Sequence, residues 1–205
     1  MKIKTIFWDF DGVLINSNRI RDQGFWQVLK DFPAEQVEKL MAYHHKNGGL
    51  SRYVKFRYFF EVILNKSVTN ETIQEYAKRF SEIMLNLLVN KDLLIPETVS
   101  YVMEHHKNFN MHIVSGSDGE ELRQICSGIG ISQYFKSIEG SPTPKRKLVS
   151  EILLKENYDT KTCIMIGDSI NDFDAANANS IGFYAFNNPS LLKYSNFYFD
   201  NIIKL

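Results

Sequence analysis

Cysteine is scarce in this chain, long apolar runs are missing, and neither sign of charge is in excess. Cys126 and Cys163, the two cysteines, each lie inside an apolar pattern. That suits reduced core thiols rather than a disulfide scaffold, so a cytoplasmic setting is expected. No stretch reaches the roughly 18 consecutive apolar residues of a membrane-spanning helix. Met1 to Asp9 alternates apolar and polar residues and runs into a carboxylate, so no signal peptide is expected there. Lys plus Arg number 24 and Asp plus Glu also 24, which leaves no basic field to hold a nucleic acid backbone or an anionic membrane surface. The expected partner is therefore a small molecule, with no nucleic acid and no membrane, acting on a monomer or homodimer. Internal repeats, low-complexity tracts and Gly/Ser-rich linkers are also absent. What is present, 44% hydrophobic and 23% charged residues over 205 positions, is the composition of an ordinary globular protein with room for one core and a smaller inserted element.

Lys2 to Trp8 reads as a strand, because Ile3, Ile6, Phe7 and Trp8 supply β-branched and aromatic bulk before the turn residues Asp11-Gly12. From about residue 18 to 90 the apolar period becomes helical. Phe25, Val28, Leu29 and Phe32 repeat at that spacing, as do Phe56, Phe59, Phe60 and Ile63, and then Ile73, Tyr76, Ala77, Phe80, Met84, Leu87 and Leu88. With Val37, Leu40 and Met41 between them, these stretches predict four helices without a strand, an inserted helical domain. Pro96 suits a first helical turn. Beyond it, strands at Met111 to Val114, Thr162 to Ile166 and Ile181 to Phe186 alternate with helical patterns, which predicts an α/β fold with a parallel sheet covered by helices. Asp118 reads as a helix cap with Glu121 as its capping-box partner. In such sheets ligands bind at the carboxyl edge of the strands, and four polar segments fall there: 9–18, 115–118, 141–145 and 167–172.

At that edge Asp9 and Asp11 are separated by one residue, and two anions brought together need a cation or shared protons. A divalent metal would supply it; a plain Asp-Gly turn with Asp9 as a helix cap is the structural alternative. Gly167-Asp168 closes a second apolar strand and Asp172 follows one helical turn later, a spacing that suits magnesium and equally suits helix capping. Ser115 and Gly116 offer a hydroxyl and a close backbone approach to a phosphate ahead of a helix N-terminus. Lys145 opens a helix after Ser141-Pro142-Thr143-Pro144, an uncommon place for a cation, with Lys147 as the other candidate.

These four segments, in this order and over nearly the whole chain, resemble the signature motifs of the haloacid dehalogenase superfamily. Asp9-Phe10-Asp11-Gly12 looks like its first motif, Ser115 its second, and Gly167, Asp168 and Asp172 its fourth. The third motif departs from the compact Lys-Pro-x-Pro form: Ser141 stands where such members carry the lysine, and Lys145 takes the assignment. The resemblance, closest to the phosphoglycolate phosphatase and β-phosphoglucomutase branch, implies a Rossmann-like core of residues 1–17 and 91–205 and a helical cap of residues 18–90. Caps of this type carry a specificity loop, here Gly48 to Arg52, from which Arg52 would bind an anionic group on the substrate.

The same resemblance implies a magnesium-dependent phosphatase acting on a small organic phosphate. Asp9 would be the nucleophile, Asp11 the acid and base, and Ser115 and Lys145 the phosphate cradle. Asp9, the backbone carbonyl of Asp11, Asp168 and Asp172 would hold or flank Mg2+. Asp11 speaks against the dehalogenase and phosphonatase branches. A phosphosugar mutase keeps all four motifs, and a non-catalytic phosphate-binding relative is the alternative outside enzymes. The aromatics from Tyr53 to Phe60 match a buried helix face rather than a base-stacking platform. His44-His45 and His105-His106, without an i, i+4 partner and intervening Glu, read as helix-surface histidines rather than a zinc site.

Overall fold

Thr5–Trp8 forms β1, and all of its residues are buried. A strand covered on both faces has to be apolar throughout, which is why the run does not alternate. The computed structural model describes residues 2–200, and in it β1 is a central strand. It pairs in parallel with β2 (Asn110–Asp118) on one side and β4 (Cys163–Gly167) on the other. β3 (Ser137–Ser141) lies outside β2, and β5 (Gly182–Phe186) and β6 (Phe197–Phe199) follow β4, giving the order β3-β2-β1-β4-β5-β6. The chain winds outward from β1 to β3, then returns past β1 to β4. The crevice between the carboxyl ends of β1 and β4 is thus a topological switch point, where open α/β sheets bind ligands.

The pleat sorts β1 between two cores. Ile6 and Trp8 pack with Val99 and Val102 of α5 (Pro96–His105) and with Leu122, Ile125 and Cys126 of α6 (Gly119–Gly128). Phe7 points the other way, into Leu148, Val149 and Ile152 of α7 (Lys145–Lys155) and Ala175 and Ala176 of α8 (Ile170–Ala178).

Between β1 and α5 the described chain forms no strand; its α-helices there are α1 (Asn18–Val28), α2 (Ala34–Lys46), α3 (Arg52–Tyr58), continued by a π-helical turn at Phe59–Ile63, and α4 (Asn70–Leu88). Phe25, Phe56 and Phe80 meet ring against ring at its centre, with centroids 4.6 to 6.2 Å apart. The chain enters and leaves this segment side by side, since Asn16 donates to the Leu93 carbonyl and Ile95 to the Leu14 carbonyl. None of the described helices is long and apolar enough to cross a membrane.

Two strands, β3 and β6, have no counterpart in the sequence expectation. β3 reads Ser-Ile-Glu-Gly-Ser and carries no apolar alternation; it is a strand because β2 runs on to Asp118, past a register shift, and supplies the ladder. Glu121 also departs from its expected role. The Asp118 carboxylate does cap α6, accepting from the backbone of Glu120 and Glu121, but the Glu121 side chain turns away into the interior.

Candidate active site

The switch-point crevice opens into a cavity of about 460 Å³ whose wall includes Asp9, Asp11, Ser115, Gly116 and Asp168 from the sheet edge and Arg21, Arg52 and Lys55 from the helices. Asp9 leaves the end of β1 and its own backbone is held by the Ile166 carbonyl of β4. The next turn requires glycine. Gly12 has φ +80°, and a Cβ there would lie 2.1 Å from Oδ2 of Asp168, so the two acidic loops touch only because position 12 lacks a side chain.

Asp9, Asp168 and Asp172 form one cluster, with one ligand oxygen from each lying within 4.8 Å of the others. Lys145 reaches it from the first turn of α7, its Nζ 2.8 Å from Oδ1 of Asp9 and hydrogen-bonded to Asp172. Lys147 points to the surface beside Glu151. Asp172 also accepts from the backbone and hydroxyl of Ser169, so it closes a capping box on α8 while facing the cluster. Burial and the nearby Asp172 charge push the Asp9 carboxyl up to about 7, against the pull of Lys145. Burial, Asp9 and Asp172 raise Asp168 likewise. Three carboxylates around one lysine, two of them buried and Asp168 partly so, carry excess negative charge. Their hard oxygen donors fit magnesium.

The neighbouring carboxylate is treated in the opposite way. Asp11 accepts from Ser17 Oγ at 2.5 Å, Ser117 Oγ at 2.5 Å and Arg21 Nε at 2.9 Å. Burial alone would raise its carboxyl, but the Arg21 charge and the two hydroxyls overcome that and hold it down at about 2. Arg21 then bridges to Glu121 at 2.6 Å, and Glu121 also binds Arg52 through both carboxylate oxygens. Arg52 further donates to Ser81 at 2.8 Å and lies over the Phe80 ring. Burial would raise Glu121 as well, yet its two arginines keep it below the usual carboxylate range.

Of the residues singled out from the sequence, the structure brings Asp9, Asp168, Asp172 and Lys145 into contact or close range and sets Asp11 and Ser115 beside them on the cavity wall. Ser115 is buried, and its Oγ accepts from the Ser117 backbone. Two others stand differently from the expectation. The space over Gly116 is filled by the Gly49 carbonyl, 2.0 Å from where a Cβ would be, and the Arg52 guanidinium is already committed to Glu121. His44 corrects the surface-histidine reading. It is tucked under α1 and α3 against the Phe25 ring, centroids 4.8 Å apart, and bonded to Asp22 and Lys55.

Arg21, Lys55 and Asp22 escaped the sequence reading, which gave Glu121 a capping role and His44 a place on the helix surface. Arg21 and Glu121 lie 100 residues apart, and no local pattern marks their pairing. Asp22, His44 and His45 bring three potential metal-ligand atoms together. The Asp22 carboxylate, however, only accepts, so Nε2 of His44, 3.0 Å from it, carries the proton and Nδ1 accepts from Lys55 at 2.7 Å. That is a closed hydrogen-bond relay, and it leaves no free lone pair on His44 for a metal.

A family model for haloacid dehalogenase-like hydrolases matches residues 6–186. A phosphoglycolate phosphatase from Colwellia psychrerythraea is 21% identical over 194 residues, spanning 90% of this chain and 86% of its own. Among solved structures, a β-phosphoglucomutase from Clostridium difficile superposes with a TM-score of 0.76 at 19% identity, covering 97% of this chain and 91% of that one. A hydrolase from Bacillus subtilis, described as bound to magnesium and as showing interdomain movement, superposes at 0.68 and 12% identity, over 97% and 94% of the two chains.

Proposed function

Because the chain belongs to the haloacid dehalogenase-like hydrolase family and is an enzyme of that family, we propose that it is a magnesium-dependent phosphatase for a small organic phosphate monoester. The observation that carries this reading is Asp9 at the switch point, in one cluster with Asp168, Asp172 and Lys145. Asp9 attacks phosphorus, the bond from phosphorus to the leaving oxygen breaks, and an aspartyl phosphate forms. Asp11 protonates the leaving oxygen, then takes a proton from the water that cleaves the intermediate and frees inorganic phosphate. Ser115 and Lys145 bind the phosphoryl oxygens. Asp9, Asp168 and the main-chain carbonyl of Asp11 would hold the ion, with Asp172 behind them, and the bound ion supplies positive charge against the transferring oxygens.

Asp11 can carry a proton only after Arg21 releases it. Arg21 belongs to the helical segment 18–90, which we read as a cap over a core of residues 1–17 and 91–205; Met1 and residues 201–205 of that division lie outside the described residues. Opening at the paired crossings near Leu14 to Asn16 and Leu93 to Ile95 would draw Arg21 off Asp11.

The test is phosphate release from a panel of phosphate monoesters, with magnesium or with EDTA, for wild type and Asp9→Asn. Magnesium-dependent release that is lost in Asp9→Asn is the expected result. Isomerisation of a sugar phosphate without net release would replace the phosphatase by a mutase.

A further inference from the structure

Four cationic side chains are buried around the cavity, and three of them meet carboxylates. Lys145 lies between Asp9 and Asp172, Arg21 between Asp11 and Glu121, and Arg52 on Glu121. Lys55 is the exception. It lies on α3 with 4% of its surface exposed, and no carboxylate oxygen of the described residues comes within 4.0 Å of its Nζ. Its single hydrogen-bond partner there is Nδ1 of His44, and the Phe25 ring lies 5.9 Å off. Burial pulls this amine down to about 7, even though the more distant Asp11 and Asp22 favour its charge, and an anion placed directly beside it would favour the charged form. The cavity it lines is the one that holds Asp9 and Ser115 at the sheet edge.

The amine is also aimed. His44 Nε2 donates to one oxygen of Asp22 at 3.0 Å, and His45 holds the other at 3.0 Å, so helices α1, α2 and α3 each place one member of the chain Asp22–His44–Lys55. A relay of this kind fixes the imidazole tautomer and with it the position of the lysine head.

We propose that Lys55 is the specificity-determining residue for a second anionic group on the substrate, a carboxylate or a second phosphate, and that His44 and Asp22 are positioning residues for it. This assignment rests on the phosphatase reading for the other end of the same molecule. It moves the distal recognition from Arg52, which is spent on Glu121, to the buried cavity lysine that has no carboxylate in direct contact among the described residues. No covalent step is involved.

Matched substrates test it: alkyl phosphates of increasing length against the same chains ending in a carboxylate or in a second phosphate. Wild type should favour a charged member over its alkyl partner, mainly through KM, and Lys55→Met should shrink that ratio by about 10- to 100-fold, the worth of a charge-assisted hydrogen bond. Lys55→Arg should restore part of the ratio. Asp22→Asn should raise KM for the charged member while leaving its kcat. Which arm wins identifies the group as carboxylate or phosphate. Binding of the same pairs to Asp9→Asn protein with magnesium, by calorimetry, reads the subsite without turnover. A charged-over-alkyl difference in binding that Lys55→Met removes supports the proposal even where turnover is absent, an outcome that would defeat the phosphatase reading alone. Equal behaviour of the paired members, a preference that survives Lys55→Met, or no binding of any member at millimolar concentration overturns it. Retention of the melting temperature in Lys55→Met, where an apolar chain replaces a buried cation, checks folding.

Discussion

On the β4 side of the sheet edge, Asp9, Asp168 and Asp172 share one lysine; on the β2 side, Asp11 and Glu121 share two arginines. Both groups are mostly buried and both rest on strand ends or first helical turns, yet the Asp9 carboxyl is pushed up to about 7 and that of Asp11 down to about 2. Two aspartates separated by Phe10 thus meet opposite fields. The difference teaches where to look for chemistry. The balanced group has its counter-charges built into the protein and holds the helices against the sheet, whereas the unbalanced group is stable only when something positive arrives. A magnesium ion and a phosphoryl group are that something in the reading proposed above. Lys55 at the far wall is the mirror image in the further proposal, an amine whose charge burial disfavours and an arriving anion would restore.

The largest effect that separates the two groups should be on turnover. Asp9→Asn should lower phosphate release by about 10⁴-fold or more, as expected when a covalent nucleophile is removed. Asp11→Asn should cost about 10²- to 10⁴-fold, the range of one acid–base group. Equal, small losses in both would break the comparison.

Stability should show the reverse ranking. Glu121→Gln leaves Arg52 buried without its anion and Arg21 with Asp11 alone, and should destabilise by about 3–5 kcal/mol, measurable by urea unfolding. Asp168→Asn relieves repulsion around Asp9 and should raise the melting temperature of metal-free protein at pH 7. It should also abolish any rise caused by magnesium. A fall in the metal-free melting temperature of Asp168→Asn would contradict the excess-charge account.

The pH profile of metal-free protein sharpens the same contrast. Asp9, ordinarily at 3.8, titrates at about 7 in the fold, so between those values the folded state binds the proton more tightly than the unfolded chain. Stability should fall as pH rises through that window, and magnesium should flatten this limb. Asp11 runs the other way: its contribution is present above the ordinary value of 3.8 and is lost as pH falls toward about 2. Melting curves in EDTA and in magnesium across this range would display both limbs, and an upper limb indifferent to magnesium would remove the metal from this cluster. The smallest effect belongs to Lys147. Its exposed pairing with Glu151 is worth at most about 1 kcal/mol, so Lys147→Ala should leave stability and phosphate release nearly unchanged, while Lys145→Met should not.

Much of the fold was legible because its signals are local. The β-branched and aromatic run at Thr5 to Trp8, the helical period from Phe25 to Leu88 and the caps at Pro96 and Asp118 each lie within one element. β3 and β6 were not legible, since Ser137 to Ser141 has no pattern of its own and becomes a strand by pairing with β2. Within the candidate site, Asp9, Asp11, Asp168 and Asp172 stood out because acidic residues at strand ends are a short-range pattern. Glu121 was misread as a capping partner for the same reason: the local pattern was real, and the side chain answered to Arg21 and Arg52 instead.

From its sequence alone, then, this protein is an α/β chain with a helical insertion and an acidic sheet edge, because hydrophobic period and turn chemistry act over a few residues. Which charge meets which was decided only by tertiary structure. Lys145 reaches Asp9 across 136 positions and Arg52 reaches Glu121 across 69, and Coulomb energy and desolvation depend on distance and burial in space, neither of which sequence spacing records. The same holds for Lys55, an unremarkable helix residue in the sequence that the packing of three helices turns into the cavity's one buried cation without a carboxylate partner among the described residues.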